Sequence, residues 1–447
     1  MYRFASEKLS AWKDSPSRKP LIIKGIRQVG KTWLLKEFGK NSFESMAYIN
    51  FEANPECTDY FERSLDVKRI IKELAVVTGT HIEPGKTLLV LDEIQECPRA
   101  LTALKYFCED APELHVACAG SLLGVALAKP ASFPVGKVDF LHVNPMSFTE
   151  FLLADGQSNL AEFASSIDKP EPISQPLVSL FEEQLKTYYV TGGMPAVVGQ
   201  WCEHHDIEPV QVVLASLLNA LQADFGKHPN KTDIPKISLI WRSLPSQLAR
   251  ENKKFLYRLV REGARAREYE NALQWLTDDE LVRQVFRTKA PGLPLSAFDD
   301  LSAFKLYLAD VGLLRRHSNL LPTAIIEGDR LFTEFKGALT ENFVLQSLAP
   351  QLDVEPRYWS QVNPPHKVDF IANIDNKIVP IEVKADRNVR SRSLRVYQKK
   401  FPGATPLCVR FSLENLRLDG DLLNIPLWLT DDAVRLIRMA LSERSSS

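Results

Sequence analysis

The chain has 447 residues, with 55 Lys and Arg against 56 Asp and Glu, and 45% of its residues are hydrophobic. At roughly 100 to 200 residues per domain this length excludes one small module and predicts about two to four domains, while the ordinary apolar and charged fractions exclude wholesale disorder. A formal net charge of −1 argues against a uniformly basic protein that coats nucleic acid, so charge has to be read locally. The six cysteines are scattered, with no Cys-x-x-Cys pair and no Cys/His cluster at metal-ligand spacing, which speaks against a zinc site or a disulfide framework. The opening residues lack the apolar core of a signal peptide, and no segment reaches about 18 uncharged apolar residues. A cytoplasmic protein without a membrane partner is the expectation.

The apolar run Leu21-Ile22-Ile23 and Lys24 predict a short strand, followed by Gly25-Ile26-Arg27-Gln28-Val29-Gly30-Lys31-Thr32 and a helix beginning at Trp33. This fits G-x-x-x-x-G-K-[ST] at every position. Glycine at both ends lets the backbone turn tightly and present N–H groups to phosphate oxygens, and the positive end of the helix favours the same anion. Lys31 would reach the β- and γ-phosphates of ATP and Thr32 would hold Mg²⁺. Another strand is expected at Ala47–Phe51, and Thr87-Leu88-Leu89-Val90-Leu91-Asp92-Glu93 reads as a fully buried strand ending in two carboxylates. Asp92 would then join the Mg²⁺ shell and Glu93 would orient the attacking water. A helix is expected over Ala103–Glu109, then a third apolar run from Leu114 to Ser121. Ser121 is either a sensor of the γ-phosphate or an ordinary loop serine. These elements make an α/β layered domain in which Gly25 to Trp33 and Asp92 bind the cofactor.

The phosphate loop with its Arg27-Gln28 pair, Leu91-Asp92-Glu93-Ile94-Gln95, Ala119-Gly120-Ser121-Leu122-Leu123-Gly124, Phe133-Pro134-Val135-Gly136-Lys137-Val138 and Pro145-Met146-Ser147-Phe148-Thr149-Glu150-Phe151 carry a resemblance. They are similar to a widespread prokaryotic family of AAA-type ATPases that join an ATPase core to a C-terminal domain similar to PD-(D/E)xK nucleases. The resemblance spans nearly the whole chain and implies ATP binding and hydrolysis.

Residues 152–180 are interrupted by Ser and Pro, with a loop at Asp168-Lys169-Pro170-Glu171-Pro172 marking a boundary nearby. Phe181–Tyr189 looks helical and leads into Thr191-Gly192-Gly193-Met194-Pro195. That segment resembles the Gly-x-Pro element in the lid of related signal-transduction ATPases, and reads equally as a helix-ending Gly-Gly turn. Arg27, Arg99, Arg242 and Arg250 are all candidates for an arginine finger, and spacing singles out none. From Lys231 to Arg316 the pattern is three helices and a hairpin, Val282–Thr288 with Ala303–Leu308, which predicts a winged helix. Between Arg250 and Arg267 seven basic residues face Glu251 and Glu262, a local net of +5 that could track phosphates or simply form a solvated face.

In the last third, Lys367-Val368-Asp369-Phe370-Ile371-Ala372, a turn at Asp375-Asn376-Lys377 and Ile378-Val379-Pro380-Ile381-Glu382-Val383-Lys384 predict two paired strands. They would bring Asp369 and Glu382 together as Mg²⁺ ligands, with Lys384 placing a water or stabilising charge and Glu341 added from a helix upstream. One position departs from the resemblance: two before Asp369 an acidic residue is common in these relatives, and here it is Lys367. From Lys384 to Lys400 seven basic residues stand against Asp386 alone, a net of +6 beside this constellation.

The expected architecture is therefore a multidomain α/β chain: a P-loop AAA-type ATPase core over residues 1–150, a helical lid over 151–230, a winged-helix domain over 231–316 and a restriction-endonuclease-like domain over 317–447. Two functions compete. In one, an ATP switch controls a DNA-directed nuclease built on Asp369, Glu382 and Lys384. In the other, a signalling or scaffold ATPase binds a partner protein, nucleic acid or further copies of itself without cutting.

Overall fold

A computed structural model describes residues 1–120, 134–228, 230–250, 253–327, 333–387 and 391–446. The chain divides into two compact units, one formed by Met1–Asn144 with Gln274–Leu281, the other by Pro145–Leu273 with Val282–Ser447.

In the first unit five strands form one sheet among the described residues: β1 (Leu21–Lys24), β2 (Ser45–Asn50), β3 (Thr87–Asp92), β4 (His115–Ala119) and β5 (Asp139–His142). All pair in parallel, in the order β2-β3-β4-β1-β5. Every residue of β3 and β4 is buried, which explains why both read as apolar runs without alternation: helices cover both faces. One face packs Ile22, Ile49, Leu89 and Leu91 against Phe61, Ile70, Leu74, Leu104 and Phe107. After β1 the chain crosses to the far edge, works back through β3 and β4, and then passes over β1 to reach β5. Strand order reverses around β1, and parallel sheets open their ligand crevice at the carboxyl ends beside such a reversal. The separate stretch Gln274–Leu281 is fastened near β5 through Glu280, whose carboxylate lies 3.3 Å from Nδ1 of His142.

The second unit begins with helices. Phe148–Ala154 starts on a capping box, Ser147 with Glu150, and Gln175–Thr191, Pro195–His204, Ile207–Ala223 and Ile234–Leu248 follow. The turn after Thr191 is tightly built: Asp310 accepts the Gly193 N–H at 2.6 Å, and Gly193 O accepts the Met146 N–H at 2.6 Å. A side chain at Gly193 would place its Cβ 2.0 Å from Met146 O, so the second glycine is a packing requirement of this unit.

Eight strands follow: β6 (Val282–Thr288), β7 (Asp299–Leu308), β8 (Arg357–Gln361), β9 (His366–Ile374), β10 (Lys377–Val383), β11 (Cys408–Ser412), β12 (Arg417–Asp419) and β13 (Leu422–Pro426). The hairpin expected at Val282–Thr288 and Ala303–Leu308 is present as β6 and β7, the second strand starting earlier, at Asp299. It does not stand alone. β6 runs parallel to β8 where Arg287 faces Tyr358, so one sheet of order β12-β13-β11-β10-β9-β8-β6-β7 includes both the hairpin and the two strands that carry Asp369 and Glu382. The join is reinforced by a fork between Arg357 and Asp299, with Nε–Oδ1 at 2.6 Å and Nη2–Oδ2 at 2.9 Å. On one face of this sheet Trp359, Val368, Ile371 and Cys408 pack with Leu394 and Tyr397 of the helix Arg392–Lys400. No helix among the described residues is long and apolar enough to cross a membrane.

Candidate functional site

The predicted phosphate loop joins β1 to the helix Lys31–Ser42. Gly25 has φ +148°, and a Cβ there would stand 2.2 Å from Val143 O, so the loop's opening turn accepts only glycine. Gly30 closes the loop at φ +94° as the helix N-cap, which leaves the first-turn N–H groups of the helix without intrahelical acceptors. Lys31 is almost fully buried and folds back over the loop, its Nζ donating to Gly25 O at 2.6 Å and Ile26 O at 3.0 Å. Burial lowers its pKa, opposed by the carboxylates of Glu93, Asp279, Glu280 and Asp92. A loop whose backbone cannot tolerate a side chain, ending on a helix N-terminus and a captive lysine, suits a polyphosphate. Ile26 and Val29 are buried supports, Arg27 is half-buried, and Gln28 and Trp33 are exposed.

β3 ends beside this loop. Thr32 Oγ1 donates to Asp92 Oδ2 at 2.9 Å, bringing together the two oxygens expected to hold Mg²⁺, and hard oxygen donors of this kind suit that ion. Glu93 follows in the left-handed region at φ +50°, with its backbone N–H on Asp92 Oδ1 at 3.0 Å and its own Oε2 accepting from Gln95 Nε2 at 2.6 Å. Tyr48, on β2, also donates to Asp92 Oδ2, at 2.7 Å, and burial pushes its hydroxyl up to about 12. Neither Tyr48 nor Gln95 is given a role by the sequence, although Gln95 closes the Leu91-Asp92-Glu93-Ile94-Gln95 block. For Tyr48 a signal existed in the strand alternation, which turns Tyr48 and Asn50 to the face opposite the buried Ala47 and Ile49. Ser121 lies outside the described residues. Of the candidate arginines, Arg99 lies 3.7 Å from Glu62, and Arg27 belongs to the loop itself.

In the second unit, β9 and β10 pair antiparallel with Ile381 opposite Phe370, and Asp369 Oδ2 accepts the Val383 N–H at 2.9 Å, so the sheet brings Asp369 and Glu382 together. Both carboxylates are buried, Asp369 and Glu382 each 2% exposed, as the ligands of a cation site would be. The surroundings oppose a cation. Lys367 Nζ lies 3.2 Å from Asp369 Oδ1, and Lys384 Nζ 3.1 Å from Glu382 Oε1. Glu341, expected as a third ligand, is instead saturated: Lys253 and the Tyr307 hydroxyl donate to it and Lys305 does so at 2.7 Å. Four ammonium groups thus face three carboxylates, and a divalent cation would add to an excess of positive charge. Among the described residues no three of His, Cys, Asp and Glu converge as a metal shell. Burial raises Glu382, with Asp369 adding to it against the pull of Lys384. The partners of Glu341 had no local signal, since Lys253 and Lys305 lie far off in the sequence.

The two basic stretches are broken up in space. Lys253 is withdrawn from the first by its pairing with Glu341, leaving Arg258, Arg261, Arg265 and Arg267 exposed. In the second, Lys384 and Arg387 pair with Glu382 and Glu182, and Lys400 sits 5.2 Å from the Trp359 ring centroid. Arg392, Arg395 and Lys399 line the exposed face of the helix Arg392–Lys400.

Family models match the chain in three places: an AAA domain over residues 17–152, and domains of unknown function over residues 182–324 and 336–429. No curated protein matches. Among solved structures, the chain is similar to a Walker-type ATPase of Pyrococcus abyssi at 14% identity and a TM-score of 0.41, over 70% of this chain and 94% of that one. It is also similar to a signal transduction ATPase with a tetratricopeptide repeat sensor from Pyrococcus horikoshii, at 12% identity and a TM-score of 0.28, over 79% and 46%. A third likeness is to the Orc1 protein of Aeropyrum pernix in complex with DNA, at 12% identity and a TM-score of 0.25, over 70% and 90%. The AAA match coincides with the parallel sheet and the phosphate loop, and this part of the chain is a P-loop ATPase core of the AAA type.

Proposed function

We propose that the chain is an ATP-driven switch whose first unit binds and hydrolyses Mg·ATP. The observation that carries this is the meeting of Thr32 Oγ1 with Asp92 Oδ2 at 2.9 Å, one residue from the captive Lys31 and one from Glu93. Bound Mg²⁺ would neutralise charge on the phosphates. The residues of the chain do the rest: Gly25 to Trp33 enclose the phosphates, Lys31 exchanges its carbonyl partners for phosphate oxygens, and Glu93 orients water. Lys31→Ala is expected to weaken ATP binding at least ten-fold, a loss of about 1.4 kcal/mol or more, measured by titration calorimetry. Unchanged affinity would sink the assignment.

For the second unit the lysine-paired carboxylates favour binding without cutting. On this reading the hairpin of β6 and β7, expected as the wing of a winged helix, serves to brace the larger sheet, because β7 supplies Lys305 and Tyr307 to Glu341. The exposed Arg392, Arg395 and Lys399 offer phosphate contacts to DNA, with a protein partner or further copies of the chain as the other candidates. Incubation with single- and double-stranded DNA and RNA, in Mg²⁺ or Mn²⁺, with and without ATP, is expected to give no cleavage that Asp369→Ala abolishes. Metal-dependent cutting lost in Asp369→Ala would restore the nuclease reading.

A further inference from the structure

We propose that Tyr48 is a positioning residue of the nucleotide site, fixing the metal-binding carboxylate of Asp92 without itself touching nucleotide. The inference rests on the ATP reading above and adds a component to it. β2 lies parallel to β3 with Tyr48 opposite Val90 and Asn50 opposite Asp92, so the ring of Tyr48 reaches forward along the sheet to the end of the neighbouring strand. Its hydroxyl donates to Asp92 Oδ2 at 2.7 Å, the same oxygen that accepts from Thr32 at 2.9 Å, while Oδ1 accepts the Glu93 N–H at 3.0 Å. The carboxylate is therefore held at both oxygens and from three directions. Thr32 is itself expected to turn to the metal, which leaves Tyr48 as the side-chain donor that keeps Oδ2 in place.

The ring is fixed in its turn. Lys36, one turn into the helix that starts at the phosphate loop, places Nζ 4.2 Å from the Tyr48 ring centroid, and Asn50 Nδ2 approaches the hydroxyl at 3.5 Å. Tyr48 thus ties the loop helix, its own strand and the end of β3 to one another. Outer partners that orient a ligating carboxylate raise metal affinity by about 10- to 100-fold, an effect on the metal rather than on the rest of the ligand.

Tyr48→Phe deletes the hydroxyl while keeping the ring and its contact with Lys36. Calorimetric titration of ATP at a series of Mg²⁺ concentrations, and again in EDTA, separates the two contributions in the intact chain. The Mg²⁺ concentration that half-restores tight ATP binding should rise on the order of ten-fold or more in the variant, with the EDTA affinity and the thermal unfolding midpoint unchanged. A Mg²⁺ requirement within about two-fold of wild type overturns the proposal, and so does an equal loss of affinity with and without metal, which marks a general structural role. A wild-type chain that binds no ATP at any Mg²⁺ concentration would remove the nucleotide reading and this inference together, and is thereby distinct from failure of Tyr48 alone. Lys36→Met is expected to shift the Mg²⁺ requirement less than Tyr48→Phe, because the hydroxyl remains; a larger shift would assign the effect to the lysine instead.

Discussion

Replacing Glu93 with glutamine is expected to slow steady-state ATP turnover by about 10²- to 10⁴-fold while Mg·ATP affinity stays within a few-fold of wild type. The expectation follows from where the residue sits. Glu93 holds a backbone conformation uncommon for a residue with a side chain, φ +50°, immediately after the strand that delivers Asp92. Such a conformation persists when its surroundings determine it, and such residues cluster at functional sites. Glutamine has the same shape and keeps an oxygen for Gln95 to bond, but an amide cannot draw a proton from water as a carboxylate does. Thr32, Asp92 and Lys31 are untouched, so the variant should trap nucleotide unhydrolysed. Single-turnover hydrolysis beside equilibrium binding makes the distinction. Unaltered turnover would remove Glu93 from the chemistry, and joint loss of binding and turnover would mean that the loop itself had been disturbed.

The second large effect concerns stability. Glu341→Ala should destabilise the second unit by about 3–5 kcal/mol, read from the shift of its urea transition. Lys305 is fully buried, Lys253 nearly so, and both ammonium groups rest on this carboxylate together with the Tyr307 hydroxyl. Removing the carboxylate strands two charges out of reach of water. Replacing Lys253, Lys305 and Glu341 together by methionine should recover much of the loss, because similar side-chain volume without charge carries no desolvation cost. The sign with pH follows from the same contacts. Burial alone would raise the Glu341 carboxyl, but Lys253, Lys305 and Lys367 hold it well below the usual carboxylate range. A depressed carboxylate stabilises above its unfolded pKa, about 4.3, and the benefit is lost as pH falls through the folded value. Glu341 should therefore contribute fully at neutral pH, with the loss confined to acid below the ordinary glutamate range. A Glu341→Ala transition superimposable on wild type would show that the lysines find other partners.

These two residues also mark how far the sequence could be read. Glu93 was legible because its chemistry lies on contiguous chain: a buried strand needs an apolar run, and two carboxylates at its end have a local meaning. The eight residues of the phosphate-loop motif, Gly25 to Thr32, were legible for the same reason. The adjacency of Asp369 and Glu382 followed from a two-strand pattern joined by a polar turn. Glu341 was visible as an acidic residue on a helix, but its role depends on Lys253 and Lys305, which lie 88 and 36 residues away in the chain and reach it only in the folded unit. The hairpin of residues 282–308 shows the same limit: local pattern gave both strands, whereas the pairing of Arg287 with Tyr358 that makes them part of the larger sheet has no signature in either segment. Summed local charge failed likewise, since Lys253 counts toward a basic stretch in sequence and is buried against a carboxylate in space.

The first unit is assembled from two pieces of chain, and Gln274–Leu281 reaches the ribosome exit only after residues 145–273 have been made. At translation rates of about 5–20 residues per second this is a wait on the order of ten seconds. During that time the early strands must do without Glu280 on His142 and without the negative field of Asp279 around Lys31. A nascent chain halted before residue 274 would therefore carry a nucleotide pocket with an altered charge balance, and the timing of synthesis becomes part of how this ATPase unit is completed.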